Sequence, residues 1–408
     1  MERRIHRGSR AFWRANIAFF LSGFCVFALL YSVQPLLPLF AREFRIDAGG
    51  SSLSLSVTTM VLAVSLLAAS FLADRFGRKT LMVASLGSAA VLGFLLAFAP
   101  SWPWLIAIRA LLGLALSGMP AVAMVYLAEE MDPAGLGLSM GLFIGGNGLG
   151  GMSGRLLVGL LADIVSWRFA LGALGAVAMV CGGLFWLLLP PPANSQRRAP
   201  GGPSSGLKIA RQFGDPALRW LFAEGFLMMG AFVTLYNYTG FRLAGPPFGL
   251  SAGLISLIFV IYPVGTAASA WIGALAGRIG RRKVLWLMIV LMAAGLTITS
   301  LPLMPAIIAG LAVFTFGFFG AHSVASSWVT RRAREGKAQA SALYLFFYYL
   351  GSSVIGTSGG YAWSSWGWPG VVMVAGGAIA AALIIAVRLF FLPPLPLPEA
   401  PPAAVAPY

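Results

Sequence analysis

Charge is what this chain has least of. Only 10% of its 408 residues are Asp, Glu, Lys or Arg, where a soluble domain carries about 25%. Polar side chains cannot cover its surface, so lipid must be the solvent for much of it. Cysteine is nearly absent: Cys25 and Cys181 both sit in apolar runs as small hydrophobes, which excludes a disulfide framework. Two cysteines and two histidines are too few and too scattered for a metal centre, and no cofactor is expected. A Walker A string, a separate polar domain and a carbonyl-lined filter sequence are missing as well, so ATP-driven export has no support. Nor is there the polar cluster that enzyme chemistry needs, and the chain is not read as an enzyme.

What is there is apolar and basic. Hydrophobic residues make up 59%, and 50 glycines and 25 prolines are dispersed among the apolar runs. Runs long enough to cross about 30 Å of hydrocarbon as helix begin near Asn16, Ser54, Leu81, Pro103, Leu138, Trp167, Trp220, Leu254, Val284, Pro305, Ala338 and Pro369. Each lasts about 20 residues instead of alternating over ten, so helices and not barrel strands are expected. The first run follows Arg3, Arg4, Arg7, Arg10 and Arg14 but is too long for a signal peptide and lacks a small-residue cleavage site. It is read as an uncleaved span.

Lys plus Arg is 28 against 12 for Asp plus Glu. In a soluble protein that excess would suggest nucleic acid, but here the bases are confined to short segments between spans, where the positive-inside rule accounts for them. With the N-terminus cytoplasmic, 21 of the bases fall on inside segments and four, Arg42, Arg45, Arg168 and Arg242, fall outside. Both termini are therefore expected in the cytoplasm.

The most polar connector, which begins at Pro190, divides six spans from six. A signal then repeats across it: Ser70-Phe-Leu-Ala-Asp-Arg-Phe-Gly-Arg-Lys-Thr80 between spans two and three matches Gly273-Ala-Leu-Ala-Gly-Arg-Ile-Gly-Arg-Arg-Lys283 between spans eight and nine. Arg75 and Arg278, Gly77 and Gly280, and Arg78 and Arg281 share one displacement, which argues for a duplicated unit. The expected fold is an all-α membrane protein with twelve transmembrane helices in two pseudo-symmetric six-helix bundles. Its segments are a basic cytoplasmic N-terminus (1–15), a first bundle (16–189), a cytoplasmic linker (190–216), a second bundle (217–392) and a Pro-rich cytoplasmic tail (393–408).

The Ala73-Asp-Arg-Phe-Gly-Arg-Lys79 loop, its second copy and the central linker resemble the major facilitator superfamily over residues 15 to 392. Tyr31-Ser-Val-Gln-Pro-Leu-Leu-Pro38 and Gly150-Gly-Met-Ser-Gly-Arg155 resemble its bacterial drug-resistance and sugar-efflux branch, particularly the arabinose-efflux-like permeases. The resemblance implies a conformational latch of Asp74, Arg75, Gly77, Arg78 and Lys79, with Arg278 and Arg281 in a weaker copy that has Gly277 where the acid would be. It also links an arginine at the place of Arg109 to proton transfer and substrate anchoring, with snorkelling to the interface as the alternative. It makes glycine-rich span five an antiporter signature, although Asn147 and Gly148 stand where its usual proline would be. No acid is found from Asn16 to Leu39, where drug exporters of this family often have one.

Ionisable groups inside spans are the sharper candidates, because hydrocarbon makes them costly. Arg155, with Asp163 eight residues on, closes a gate or binds an acidic group. Glu224 in span seven and His322 in span ten are the candidates for proton coupling, with an interfacial residue and a packing histidine as the alternatives. Gln34, Asn147, Tyr236 and Asn237 offer neutral hydrogen bonds to a solute. Helix periodicity puts Tyr344 and Tyr348 on one face with Phe347 beside it, facing cavity or lipid. The expected function is export of a small organic solute, drug-like or sugar, by proton antiport with rocker-switch alternating access. A proton-uncoupled facilitative transporter is the alternative and a non-transporting membrane sensor a third reading. Partners are a small-molecule substrate, protons and the bilayer, with no nucleic acid, and the monomer is the expected working unit.

Overall fold

The structure is a computed structural model describing residues 4–193, 210–333 and 335–392; the side chains of Ser70, Phe71, Asp74 and Ala121 are outside the described set. Linker residues 194–209 and the tail 393–408 also lie outside it. The described chain is helical almost throughout. In the first part run α1 (Arg10–Tyr31), α2 (Leu37–Glu43), α3 (Ala48–Phe76), α4 (Arg78–Leu95), α5 (Trp102–Leu116), α6 (Pro120–Glu130), α7 (Pro133–Ile164) and α8 (Trp167–Leu188). In the second run α9 (Pro216–Ala244), α10 (Ala252–Ser256), α11 (Tyr262–Ile279), α12 (Arg281–Ile298), α13 (Met304–Arg332) and α14 (Lys337–Phe391).

Local chemistry sets the ends. Ser9 accepts a hydrogen bond from the Phe12 amide at 3.1 Å, so α1 starts at Arg10, six residues before the expected span, and carries Arg10 and Arg14 on its first turns. Asp47, Asp132 and Asp215 cap α3, α7 and α9 in the same way, each of the last two followed by a proline at the first helical position. Gly77 and Gly280, with φ of 88° and 98°, take the left-handed conformation that separates α3 from α4 and α11 from α12. Gly367 (φ 60°, ψ −143°), two residues before Pro369, bends the 55-residue α14 into two pieces.

Eight helical segments among the described residues are long and apolar enough to cross a membrane. The rest of the apolar sequence is carried differently. Helix α5 has 15 residues and is short, whereas α7 has 32 residues, about 48 Å of helix, but its glycines dilute its hydropathy. Large apolar side chains such as Trp186, Leu187 and Ile384 are exposed, while Arg109 and Arg155 are buried. That distribution suits a lipid solvent and identifies an all-α, multi-spanning membrane fold.

Glycine brings backbones together. Gly146, Gly150 and Gly154 of α7, one turn apart, lie against the backbone of Phe20, Phe24 and Ala28 of α1 so closely that no Cβ fits. Gly351 of α14 lies against Phe226 of α9 in the same manner.

The hydrogen bonds that join α1–α8 to α9–α14, among the described residues, run from mid-bundle to the end opposite the basic loops. Ser353 donates to the Ser56 carbonyl (2.9 Å) and meets the Thr59 hydroxyl (2.7 Å), and Thr357 donates to the Ser56 hydroxyl (2.8 Å). The Gly253 amide donates to Asp163 (2.8 Å), and Ser256 reaches the Leu156 carbonyl. Ion pairs between described residues at the basic end join Arg78 with Glu129 in the first set, and Arg332 with Asp215 (2.7 Å) and Arg211 with Glu335 (3.4 Å) in the second.

Candidate functional site

Two polar clusters lie inside the bundle. The first centres on Arg155, which is 2% exposed on α7. Its Nε donates to Gln34 Oε1 at 2.6 Å and its Nη1 to the Gly151 carbonyl at 2.5 Å. Three rings surround the guanidinium: Tyr31 at 4.2 Å, Tyr262 at 4.8 Å and Phe259 at 4.9 Å from its carbon to their centroids. Cation–π attraction is strongest where water is excluded, so this charge is held by ring quadrupoles and neutral acceptors. Gln34 uses its other end to donate to Asn237 Oδ1 at 2.7 Å. Since the short helical turn Gln34–Leu36 between α1 and α2 supplies Gln34 and α9 supplies Asn237, the pair ties the first set of helices to the second.

Tyr236, next to Asn237, shares a 2.6 Å hydrogen bond with Thr315 and stacks on Phe259. Asn237 Nδ2 and Asn147 Oδ1 have no partner among the described residues. Asn147 lies against Gly23 of α1. Asp163, read from the sequence as a neighbour of Arg155, serves the Gly253 amide instead.

The second cluster lies nearer the basic end. His322 Nδ1 and Tyr344 Oη share a hydrogen bond of 2.9 Å, and the imidazole packs on Tyr348 at 4.8 Å and Phe318 at 6.1 Å. Tyr344 and Tyr348 do occupy one face, but Phe347 turns away and stacks on Phe222 at 5.8 Å. Residue 347 points about a hundred degrees from residue 348, and its ring lies on the α9 side. Glu224 sits two turns into α9, because that helix starts at Pro216. It is fully buried, and neither carboxyl oxygen has a partner among the described residues. Its neighbour Gly225 packs on the Tyr344 ring.

Arg109 belongs to neither cluster. It is buried, and its Nε, Nη1 and Nη2 donate to the carbonyls of Ser54 (2.6 Å), Leu29 (2.9 Å) and Leu30 (2.7 Å), while Thr58 donates to the Arg109 carbonyl. One guanidinium thus ties α5 to α1 and α3.

Of the expected latch, the Asp74 side chain lies outside the described residues. Arg78 pairs with Glu129 at the end of α6, Lys79 donates to the Leu189 carbonyl, and Arg75 is exposed beside Phe76. Arg278 is exposed, and Arg281 Nε has no partner among the described residues. Sequence reasoning missed Glu129, which stands in the only Glu-Glu pair of the chain, and the ring cage of Tyr31, Phe259 and Tyr262, which nothing distinguishes from the other aromatics.

Comparison with known proteins agrees with this architecture. The sequence profile of the Major Facilitator Superfamily matches residues 19–245 and, again, 227–407. Over 385 residues the chain is 44% identical to the uncharacterized MFS-type transporter YybF of Bacillus subtilis (strain 168), covering 94% of each protein. It is 43% identical to the inner membrane transport protein YnfM of Escherichia coli (strain K12), covering 94% of this chain and 92% of that one. The crystal structure of the nucleoside transporter NupG superposes with a TM-score of 0.76 at 16% identity, over 93% of this chain and 100% of NupG. The chain therefore belongs to the major facilitator superfamily: it is a secondary transporter that moves small molecules across a membrane, and not an enzyme.

Proposed function

We propose that the protein exports a small organic solute by proton antiport, with Glu224 carrying the proton. The observation that supports this reading most is the isolation of that carboxyl: 0% exposed, two turns inside a spanning helix, with no partner for either oxygen among the described residues. An unpartnered charge there costs several kcal/mol, so the group holds its proton while enclosed and releases it when the cavity turns toward water. The His322–Tyr344 pair beside it offers a route for that proton. Gln34, Asn237, Asn147 and the aromatic residues about Arg155 supply neutral hydrogen bonds and ring faces for an amphipathic or sugar-like cargo.

The same reading takes the chain as two six-helix bundles in a bacterial inner membrane, with the basic loops and both termini cytoplasmic. The bend at Gly367, the pair of profile matches and the repeated loop support it. Hydrogen bonds between the bundles cluster away from the basic end, so this conformation is the one open to the cytoplasm. Rocking about the Gln34–Asn237 contact would expose the other side.

Purified protein in proteoliposomes with an interior pH dye tests the proposal against pentoses, hexoses, cationic dyes, chloramphenicol-like drugs and nucleosides. A substrate-dependent pH change that Glu224→Gln abolishes, while substrate exchange continues, is expected. Solute flux with no proton movement in the unmodified protein would overturn antiport and leave a facilitative transporter.

A further inference from the structure

The two copies of the repeated loop differ in how their arginines are balanced. Arg78 of the first copy is ion-paired with Glu129. Moving both residues by the displacement that separates Gln34 from Asn237, 203 residues, lands on Arg281 and Arg332. The same step carries Asp74 to Gly277. The second copy has thus kept the arginine and lost two acids, one replaced by a base.

A cavity of about 420 Å³ has formed at this place, and Arg281, Arg282, Lys283, Arg331 and Arg332 line it. No carboxylate is among the lining residues that the structure describes. Asp215 takes the Arg332 Nε at 2.7 Å and Arg282 donates to the Phe390 carbonyl at 2.9 Å, whereas Arg281 Nε is buried with no partner among the described residues. The first turn of the 18-residue α12 also faces this region, and no side chain caps its free amides. Trp328 supplies an apolar wall.

Forked guanidiniums, a lysine and a helix N-terminus around one cavity match a phosphate group better than a carboxylate or halide, because they offer many donors in several directions. We propose that this cavity binds a phosphate-bearing anion that supplies the negative charge the second copy lacks. The source is either the headgroup of an anionic phospholipid, since the cavity lies at the ends of spanning helices where headgroups sit, or phosphate from solution.

The test uses the full chain in a neutral detergent and reads its unfolding temperature against added phosphatidylglycerol, phosphatidylcholine and inorganic phosphate. Phosphatidylglycerol should stabilise it and phosphatidylcholine should not, and Arg281→Gln with Arg331→Gln should weaken the apparent affinity about tenfold or more. Stabilisation by millimolar inorganic phosphate that competes with the lipid assigns the site to free phosphate; a response to phosphatidylglycerol alone assigns it to lipid. An equal response to phosphatidylcholine, or one that survives the double substitution, overturns the proposal.

A second variant covers the case in which the double substitution does not fold. Gly277 is exposed, and a Cβ there meets only open space, so Gly277→Asp restores the first copy's acid without strain. It should stabilise the anion-free protein and blunt the phosphatidylglycerol response, and Gly277→Ala should leave that response intact. The same blunting by Gly277→Ala would show that helix propensity and not charge is at work, and would overturn the proposal.

Discussion

Gln34 and Asn237 are 203 residues apart in the chain and 2.7 Å apart in space. Their separation equals that of Arg75 from Arg278 and of Gly77 from Gly280 in the repeated loops. A residue can touch its own counterpart only near the axis that relates the two copies. In the proposed two-bundle arrangement the contact lies at that axis, and through Gln34 it reaches a buried cation, Arg155.

Loss of this bond should loosen the end at which the two sets meet. Asn237→Ala removes the acceptor of Gln34 Nε2 and leaves the Arg155–Gln34 bond in place, a cost of about 1 kcal/mol, or roughly a fivefold change in population. Spin labels on the exposed positions Arg42→Cys and Leu254→Cys lie on the two sets at this end. Their distance distribution should gain a longer component in Asn237→Ala, and an unchanged distribution would show that the bond does not bias the equilibrium.

Arg109 should behave as a clamp. Arg109→Gln removes three buried charge-assisted hydrogen bonds, to the carbonyls of Ser54, Leu29 and Leu30, for about 3 kcal/mol or more of lost stability. Arg109→Lys keeps a charge but reaches fewer of them, so its unfolding temperature should fall between those of Gln and the unmodified protein. Full stability of Arg109→Gln, with only proton coupling lost, would assign the residue to transport chemistry instead.

Glycines on one helix should differ sharply in tolerance. A Cβ on Gly150 has no room against Phe24 of α1, whereas one on Gly145 meets nothing. Gly150→Ala should cost about 1 to 3 kcal/mol by pushing α7 from α1, and Gly145→Ala should be neutral or slightly stabilising through helix propensity. Unfolding temperatures of the two variants in one detergent give the comparison, and equal values would mean that the close approach of α1 and α7 does not matter.

Much of this architecture was legible in hydropathy, because lipid forces each span to be apolar and helical. The repeated loop was legible too, and in it Gly77 and Gly280 take the same positive-φ turn. Gln34, Asn237, Arg155, Glu224 and His322 stood out as polar groups in apolar runs, but which of them meet is a question of helix arrangement. The displacement makes Gln34 and Asn237 matching positions of the repeat, as it does Arg75 and Arg278, but does not foretell their contact; nor were the rings about Arg155 legible, since Tyr31, Phe259 and Tyr262 come from distant segments of a chain with 29 Phe and 10 Tyr. Glu129 was passed over because it lies in what reads as a loop, while its meaning comes from Arg78 across the fold.

The His322–Tyr344 hydrogen bond separates a proton path from simple packing. Tyr344→Phe keeps the ring that lies against Gly225 and Tyr348 and removes only the hydroxyl, 2.9 Å from His322 Nδ1. Its stability should fall by about 1 kcal/mol, too little to unfold the protein. If protons pass between Glu224 and His322, losing this hydroxyl should slow proton-driven transport about tenfold while substrate exchange at equal pH on both sides stays within about twofold, since exchange needs no net proton transfer. His322→Asn should give the same split, with its pH profile flattened. Equal slowing of both modes would place the pair in the packing of α13 against α14 and leave proton transfer to Glu224 alone.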